Sequence, residues 1–161
     1  MNRLLLIIFG SSLSIFVNGQ VNCDRQKQKD SIQLEQFCIG FKKAVNQRDL
    51  KNISEFFQFP FPCSACNIKD NSNSKEPYMV SYKRFLQGKY DEFFGAWFME
   101  TVSKGRLFEL LQASENDKGK CSFFFGYPMV LPSERTEGHQ GFLTIEKING
   151  KFKITSIWSV P

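Results

Sequence analysis

The chain has 161 residues, a formal net charge of +5 and a hydrophobic content of 42%. Its basic residues are scattered and never exceed two in succession, whereas nucleic-acid-binding domains cluster lysine and arginine on one face. We therefore expect no nucleic-acid partner. The 18 phenylalanines supply large apolar side chains with few rotatable bonds, which suit a hydrophobic core or the wall of a ligand cavity.

Residues 1–19 have the pattern of a secretory signal peptide. A basic start and an apolar run, Leu4–Phe9, are followed by Val17 and Gly19 at the positions where signal peptidase requires small side chains. A membrane-spanning helix needs roughly 20 consecutive apolar residues, and serine and glycine interrupt this run. We expect cleavage after Gly19, a single domain over residues 20–161 without stable membrane insertion, and a periplasmic or secreted location.

The first part of this domain has helical periodicity. Apolar residues recur at spacings of three and four, which predicts an amphipathic helix over about 25–47. The stripe consists of Leu34, Phe37, Cys38, Phe41 and Val45. A short helix follows with Asp49 as its N-cap, and it ends before Phe59–Pro62 because proline lacks a backbone donor.

The pattern changes from helices to strands in the second half. Residues 63–77 are rich in turn-forming residues and are expected to form a loop. Ser81 is a candidate N-cap for a helix that Gly88 breaks, and a helical pattern then continues to Val102. The expected strands are Leu107–Gln112, Ser122–Tyr127 and Gly141–Ile148.

The clearest local signal is the Asn149-Gly150 pair between two alternating runs. Asparagine and glycine adopt the positive φ angles of a two-residue hairpin turn at low cost, so we expect the chain to end in a β-hairpin. Simple alternation places Phe152, Ile154 and Trp158 on one face of the last strand and Ile157 on the other.

Helices followed by antiparallel strands give an α+β order. Four segments carry a more specific likeness: Phe37-x-x-x-Phe41-Lys42-Lys43-Ala44-Val45-x-x-x-Asp49, Phe59-Pro60-Phe61, Tyr82-x-x-Phe85, and Gly141–Trp158. Together they resemble the NTF2-like superfamily, also called the cystatin-like α+β cone fold, and more narrowly small exported Bacteroidota proteins of that fold. The resemblance implies a strongly bent antiparallel sheet wrapped round the first helix, with a conical cavity between them.

Five cysteines follow the expected cleavage site: Cys23, Cys38, Cys63, Cys66 and Cys121. Thiols pair in an oxidising compartment when their geometry allows it, and an odd number leaves at least one unpaired. We expect a structural Cys63–Cys66 disulfide ahead of a bridge from either to Cys121. Cys38 lies on the apolar stripe and is interpreted as a small buried hydrophobe.

The resemblance also raises a catalytic alternative. NTF2-like enzymes such as ketosteroid isomerases and polyketide cyclases place an Asp, Tyr or His inside the cone. The candidate cavity-lining residues here are Tyr82, Tyr90, Glu109 and Tyr127, although none lies in a motif of those enzymes. Asp91 is expected to face solvent.

Neither a metal site nor a cofactor site is predicted from the sequence. One CxxC pair is weak support for zinc, since two further ligands are needed. His139 is the only histidine, and it lies in a glycine-flanked turn where we expect an exposed surface residue.

Three functions stay open from the sequence. The first is a non-enzymatic exported domain that binds a small apolar ligand or a protein partner. The second is an isomerase or cyclase with a carboxylate or histidine deep in the cone. The third is a structural or interaction module that forms a homodimer through the outer face of the sheet.

Overall fold

The computed structural model describes residues 22–66, 78–116, 119–131, 133 and 137–160. The predicted signal peptide and most of the predicted 63–77 loop therefore lie outside the described residues. Within the described ranges the chain forms seven helices and six strands. The helices are α1 (Cys23–Lys29), α2 (Ser31–Gln47), α3 (Leu50–Ser54), α4 (Tyr82–Gln87), α5 (Tyr90–Phe93), α6 (Ala96–Lys104) and α7 (Leu107–Leu110). The strands are β1 (Phe61–Cys63), β2 (Tyr78–Val80), β3 (Gln112–Glu115), β4 (Cys121–Val130), β5 (His139–Ile148) and β6 (Lys151–Val160).

The fold class is α+β, and the strands form one sheet in the order β2-β1-β6-β5-β4-β3. The sheet is mixed, so the prediction of an antiparallel sheet is wrong for the β1–β6 pair. β1 runs parallel to β6 because the chain after α3 passes along that strand: Gln58 N–H donates to the Ile154 carbonyl at 2.9 Å, and Ser64 N–H donates to the Ile157 carbonyl at 3.0 Å. The remaining neighbours pair antiparallel.

The single helix predicted over 25–47 is divided into α1 and α2 at Asp30. This carboxylate accepts hydrogen bonds from Gln26 Nε2 at 2.7 Å and from Lys147 Nζ, on β5, at 2.8 Å. The contact with β5 holds the junction against the sheet. α2 carries the predicted apolar stripe, in which Leu34 and Val45 are fully buried.

Both predicted N-caps are confirmed. The Asp49 carboxylate accepts from the backbone N–H of Lys51 at 2.9 Å, and the Ser81 hydroxyl accepts from that of Arg84 at 3.2 Å. These side chains satisfy amide donors that have no partner within their own helix. The pattern predicted to continue to Val102 is interrupted instead by extended backbone between α5 and α6.

The strand predicted at Leu107–Gln112 is wrong over its first four residues, which form α7. A strand would place Leu107, Glu109 and Leu111 on one face and bury the carboxylate. The helical turn buries Leu107 and Leu111, four positions apart, and leaves Glu109 outside.

An irregularity in β6 reverses the predicted faces of its second half. The pairing passes from Ile145↔Ile154 to Thr144↔Ser156, which leaves one extra residue on β6. Such a bulge shifts every later side chain to the opposite face. Ile157 is therefore buried with 1% of its surface exposed, and Trp158 lies on the outer face, stacked on Phe142 at 4.3 Å between ring centroids.

Asn149 and Gly150 join β5 to β6, and both have positive φ, at 49° and 80°. Two other glycines in the sheet leave room for aromatic rings. A Cβ on Gly141 would lie 2.5 Å from Cζ of Tyr127, and a Cβ on Gly126 would lie 2.9 Å from Cε1 of Phe142.

Two cysteine pairs lie at disulfide-bonding distance. Cys23 and Cys121 connect α1 to β4 and are 98 positions apart in the sequence. Cys63 and Cys66 are three positions apart. Cys121 therefore pairs with Cys23, and not with Cys63 or Cys66 as in the alternative predicted from the sequence. Cys38 is unpaired and buried.

We predict that loss of the Cys23–Cys121 bridge destabilises the fold more than loss of the Cys63–Cys66 bridge. A crosslink lowers the conformational entropy of the unfolded chain by an amount that grows with the logarithm of the number of residues in its loop. The resulting stabilisation is about 4.7 kcal/mol for the long loop and about 2 kcal/mol for the short one. Urea unfolding of the Cys23→Ser/Cys121→Ser and Cys63→Ser/Cys66→Ser double variants measures both losses. Equal losses, or the reverse order, would contradict the prediction.

We also predict different costs for the two sheet glycines. Gly141→Ala forces a methyl group into the buried Tyr127 ring and should lower the free energy of unfolding by about 1–3 kcal/mol. Gly126→Ala serves as the matched control, since the half-buried Phe142 ring can turn towards solvent. Thermal and urea unfolding measure the loss of unfolding free energy in each variant. An equal or greater loss for Gly126→Ala would disprove the prediction.

Candidate functional site

Phenylalanine rings pack closely between the helices and the sheet. Ring centroids lie 4.7 Å apart for Phe57 and Phe61 and 4.9 Å apart for Phe94 and Phe98. Such close aromatic packing leaves no room for a ligand between these rings. The phenylalanines with at most 5% of their surface exposed are Phe41, Phe57, Phe61, Phe85, Phe93, Phe94, Phe98, Phe123, Phe125 and Phe152.

Two of the four predicted cavity residues belong to this interior. The Tyr90 hydroxyl donates to the backbone carbonyl of Val45 at 3.3 Å and also contacts Met99 Sδ. Tyr127 has 6% of its surface exposed and packs edge-on against Phe98, with ring centroids 5.1 Å apart. Burial raises the pKa of both tyrosine hydroxyls above that of a free phenol.

The other two candidates lie at the surface. Tyr82 is 51% exposed and packs edge-on against Phe59. Glu109 forms an ion pair with Arg106 at 2.9 Å and has 61% of its side chain exposed. The structure therefore does not bring the four predicted residues together in one cavity.

His139 is exposed, as expected, but it begins β5 opposite Val130 rather than lying in a turn. Among the described residues, no group of three or more His, Cys, Asp or Glu side chains could hold a metal ion. None of the helices that the structure describes is both long and apolar enough to cross a bilayer.

An open cleft of about 330 Å³ lies between α2 and α7, and we call it the α2–α7 cleft. Buried Cys38 and Leu107 contribute to its lining. Ile39 and the partly buried Phe108 add further apolar surface, and 63% of Ile39 is exposed. The cleft thus combines an apolar interior with access from solvent.

Charged groups of both signs surround the α2–α7 cleft. Lys42 Nζ donates to the backbone carbonyl of Gly105 at 3.0 Å and so connects α2 to the start of α7. Glu35 and the Arg106–Glu109 ion pair complete the polar part of the lining. A few polar groups around an apolar lining are typical of small-molecule sites.

The Cys38 thiol is chemically quiet despite its place in the cleft. Desolvation raises its pKa to about 12, which the nearby Lys27 opposes. The thiolate is the reactive form of cysteine, so this side chain remains a protonated, weakly polar group at neutral pH. Its contribution to the site is apolar surface rather than nucleophilic chemistry.

The sequence predicts Glu109 as a cavity residue but does not predict the α2–α7 cleft. Its walls come from segments about 70 positions apart along the chain, and no local pattern reports such an approach. One signal was available: Ile39 lies off the buried stripe of α2, where an amphipathic helix ordinarily has a polar residue.

No family model matches the chain, and no curated protein matches it. Among solved structures, a designed NTF2 protein, a variant of Rd1NTF2_05, is 11% identical and gives a TM-score of 0.38. The comparison covers 85% of this chain and 100% of the designed protein. A likeness at this TM-score does not establish a common fold, so membership of the NTF2-like superfamily stays a proposal.

Proposed function

We propose that this chain is an exported binding domain that takes the apolar part of a small ligand into the α2–α7 cleft. The observation that carries the proposal is the open volume of about 330 Å³ beside buried Cys38 and Leu107. Ligand pockets typically have volumes from about 300 Å³ upward and are lined mainly by apolar groups with a few polar ones. This cleft matches both properties.

The packed interior supports this choice of site. A ligand at the centre of the phenylalanine cluster would have to displace buried rings such as Phe57 and Phe94, each almost fully enclosed. Removing a phenylalanine ring from a core costs about 3–5 kcal/mol. The α2–α7 cleft requires no such displacement.

The polar groups of the interior favour binding over catalysis. Among the described residues, the buried polar ones are Ser54 and Ser122. Tyr90 and Tyr127 have raised pKa values, which oppose their ionisation at neutral pH. General acid or base catalysis works best with a pKa near the working pH. The isomerase or cyclase alternative would need a buried carboxylate or histidine in addition.

We propose further that the domain is an NTF2-like cone, with a bent sheet round α2 and a closing β5–β6 hairpin. Helices precede most of the strands, and α2 contacts β6, α3, α6 and α7. Burial of Leu34 and Val45 on α2 supports this central position.

Export from the cytoplasm is part of the proposal. The signal-peptide pattern of residues 1–19 is its first support. The second is that four of the five cysteines form two pairs at bonding distance, an arrangement suited to an oxidising compartment.

The binding proposal predicts that Ile39→Asp weakens the uptake of an apolar probe. Anilinonaphthalene sulfonate, whose fluorescence rises in apolar surroundings, provides the readout. Removing the apolar contact of Ile39 should raise the probe Kd about 10-fold, because burial of such a side chain is worth about 1.5–3 kcal/mol.

Ile32→Asp is the matched control, since Ile32 lies two turns earlier on α2, is 75% exposed and does not line the cleft. It should leave the probe Kd unchanged. Equal effects of the two variants would contradict a site in the α2–α7 cleft. Circular dichroism of both proteins checks that α2 remains folded.

The export proposal predicts a mature protein that begins at Gln20. Expression of the full chain with its own leader in a bacterial host, followed by N-terminal sequencing of the exported fraction, measures the cleavage site. Recovery of Met1 on the cytoplasmic protein alone would contradict it. Gly19→Arg should block processing, because the peptidase pocket does not admit a large charged side chain.

A further inference from the structure

We propose that a second, smaller cavity binds an alkylammonium ion. It has a volume of about 180 Å³ and lies between the α5–α6 segment and β4. We call it the Trp97 cavity; its lining includes Ala65, Asp91, Trp97, Phe98, Tyr127 and Met129. None of these residues lines the α2–α7 cleft, so the two sites are independent.

Aromatic side chains form much of the Trp97 cavity. Trp97 is 38% exposed, so part of its indole is accessible to a ligand. Phe98 and Tyr127 also line the cavity and form an edge-to-face pair, with ring centroids 5.1 Å apart. Cations bind to aromatic faces by electrostatic attraction, and indole is the strongest of the natural side chains in this role.

The charge of the cavity complements a cation. Asp91 is exposed and makes no ion pair or hydrogen bond with another described residue. The neighbouring Glu92, by contrast, is bound to Arg84 at 2.8 Å. A carboxylate without a positive partner is therefore present at an aromatic cavity in a chain whose net charge is +5.

Tyr127 supplies a polar atom at the cavity. The residue lines the cavity and is more than nine-tenths buried, while its hydroxyl bonds to no other described residue. Every fully buried side-chain oxygen or nitrogen of the described residues has a hydrogen-bond partner, so this hydroxyl reaches solvent-accessible space. A cationic ligand with a hydroxyl or an N–H group can donate a hydrogen bond to this oxygen while its charge lies against Trp97.

The two tryptophans of the chain provide a direct test by NMR of their indole N–H groups. Trp97 lines the cavity, while Trp158 lies on the outer face of the sheet with its Nε1 bonded to Thr144 at 2.9 Å. Titration with choline should shift the Trp97 signal at millimolar concentration and leave Trp158 unmoved. Dimethylbutanol, which replaces the choline nitrogen by carbon, should not shift either signal.

Two variants examine the role of charge. Asp91→Asn should raise the Kd for choline about 10-fold, since it removes the unpaired carboxylate. Glu100→Gln, on the exposed side of α6, is the matched control and should leave it unchanged. Vesicles of phosphatidylcholine separate two sources of the same group. A Trp97 shift with vesicles assigns the site to a lipid headgroup, and a shift with choline alone assigns it to a free alkylammonium ion.

Any of three results would overturn the proposal: an unmoved Trp97 signal, an equal shift with dimethylbutanol, or equal affinities of Asp91→Asn and Glu100→Gln. The anilinonaphthalene sulfonate titration remains a separate measurement on the α2–α7 cleft.

Discussion

The packing of phenylalanine rings between α2 and the sheet is the constraint on which the rest of the structure depends. Phe41 on α2, Phe57 after α3, and Phe98 on α6 come from separate segments, and their rings meet in one contiguous core. Aromatic rings bring large buried area at little entropic cost, so this interior supplies much of the driving force for folding. The same packing leaves no room for a ligand between these rings, and the two cavities described above lie beside them, one between α2 and α7 and one between the α5–α6 segment and β4.

Local interactions were the predictable part of this fold. The Asp49 and Ser81 caps depend on residues within three positions, and the later strands follow from alternation in their own sequence. The features that the sequence does not predict involve contacts between segments that are distant along the chain. The division at Asp30 depends on Lys147, 117 positions away, and the parallel pairing of β1 depends on β6. Such contacts leave no periodicity in either segment.

The candidate sites follow the same division. Tyr90 and Tyr127 were chosen from the sequence for their chemistry, but their neighbours in the fold place them in the aromatic interior. Glu109 borders the α2–α7 cleft, but the facing wall comes from α2, where Ile39 lies off the buried stripe. Residue type thus predicted candidates, and only the packing of distant helices could group them into sites.

The position of Cys38 has a consequence for how the chain acquires its crosslinks. During synthesis Cys23 emerges 98 residues before its native partner Cys121, and for most of that interval the nearest thiol is Cys38. In the native fold Cys38 is 4% exposed, and burial raises the pKa of its thiol to about 12. Thiol–disulfide exchange requires a thiolate that can reach the disulfide sulfur. Packing of α2 against the core therefore withholds the unpaired cysteine from the reactions that would reshuffle the two bridges.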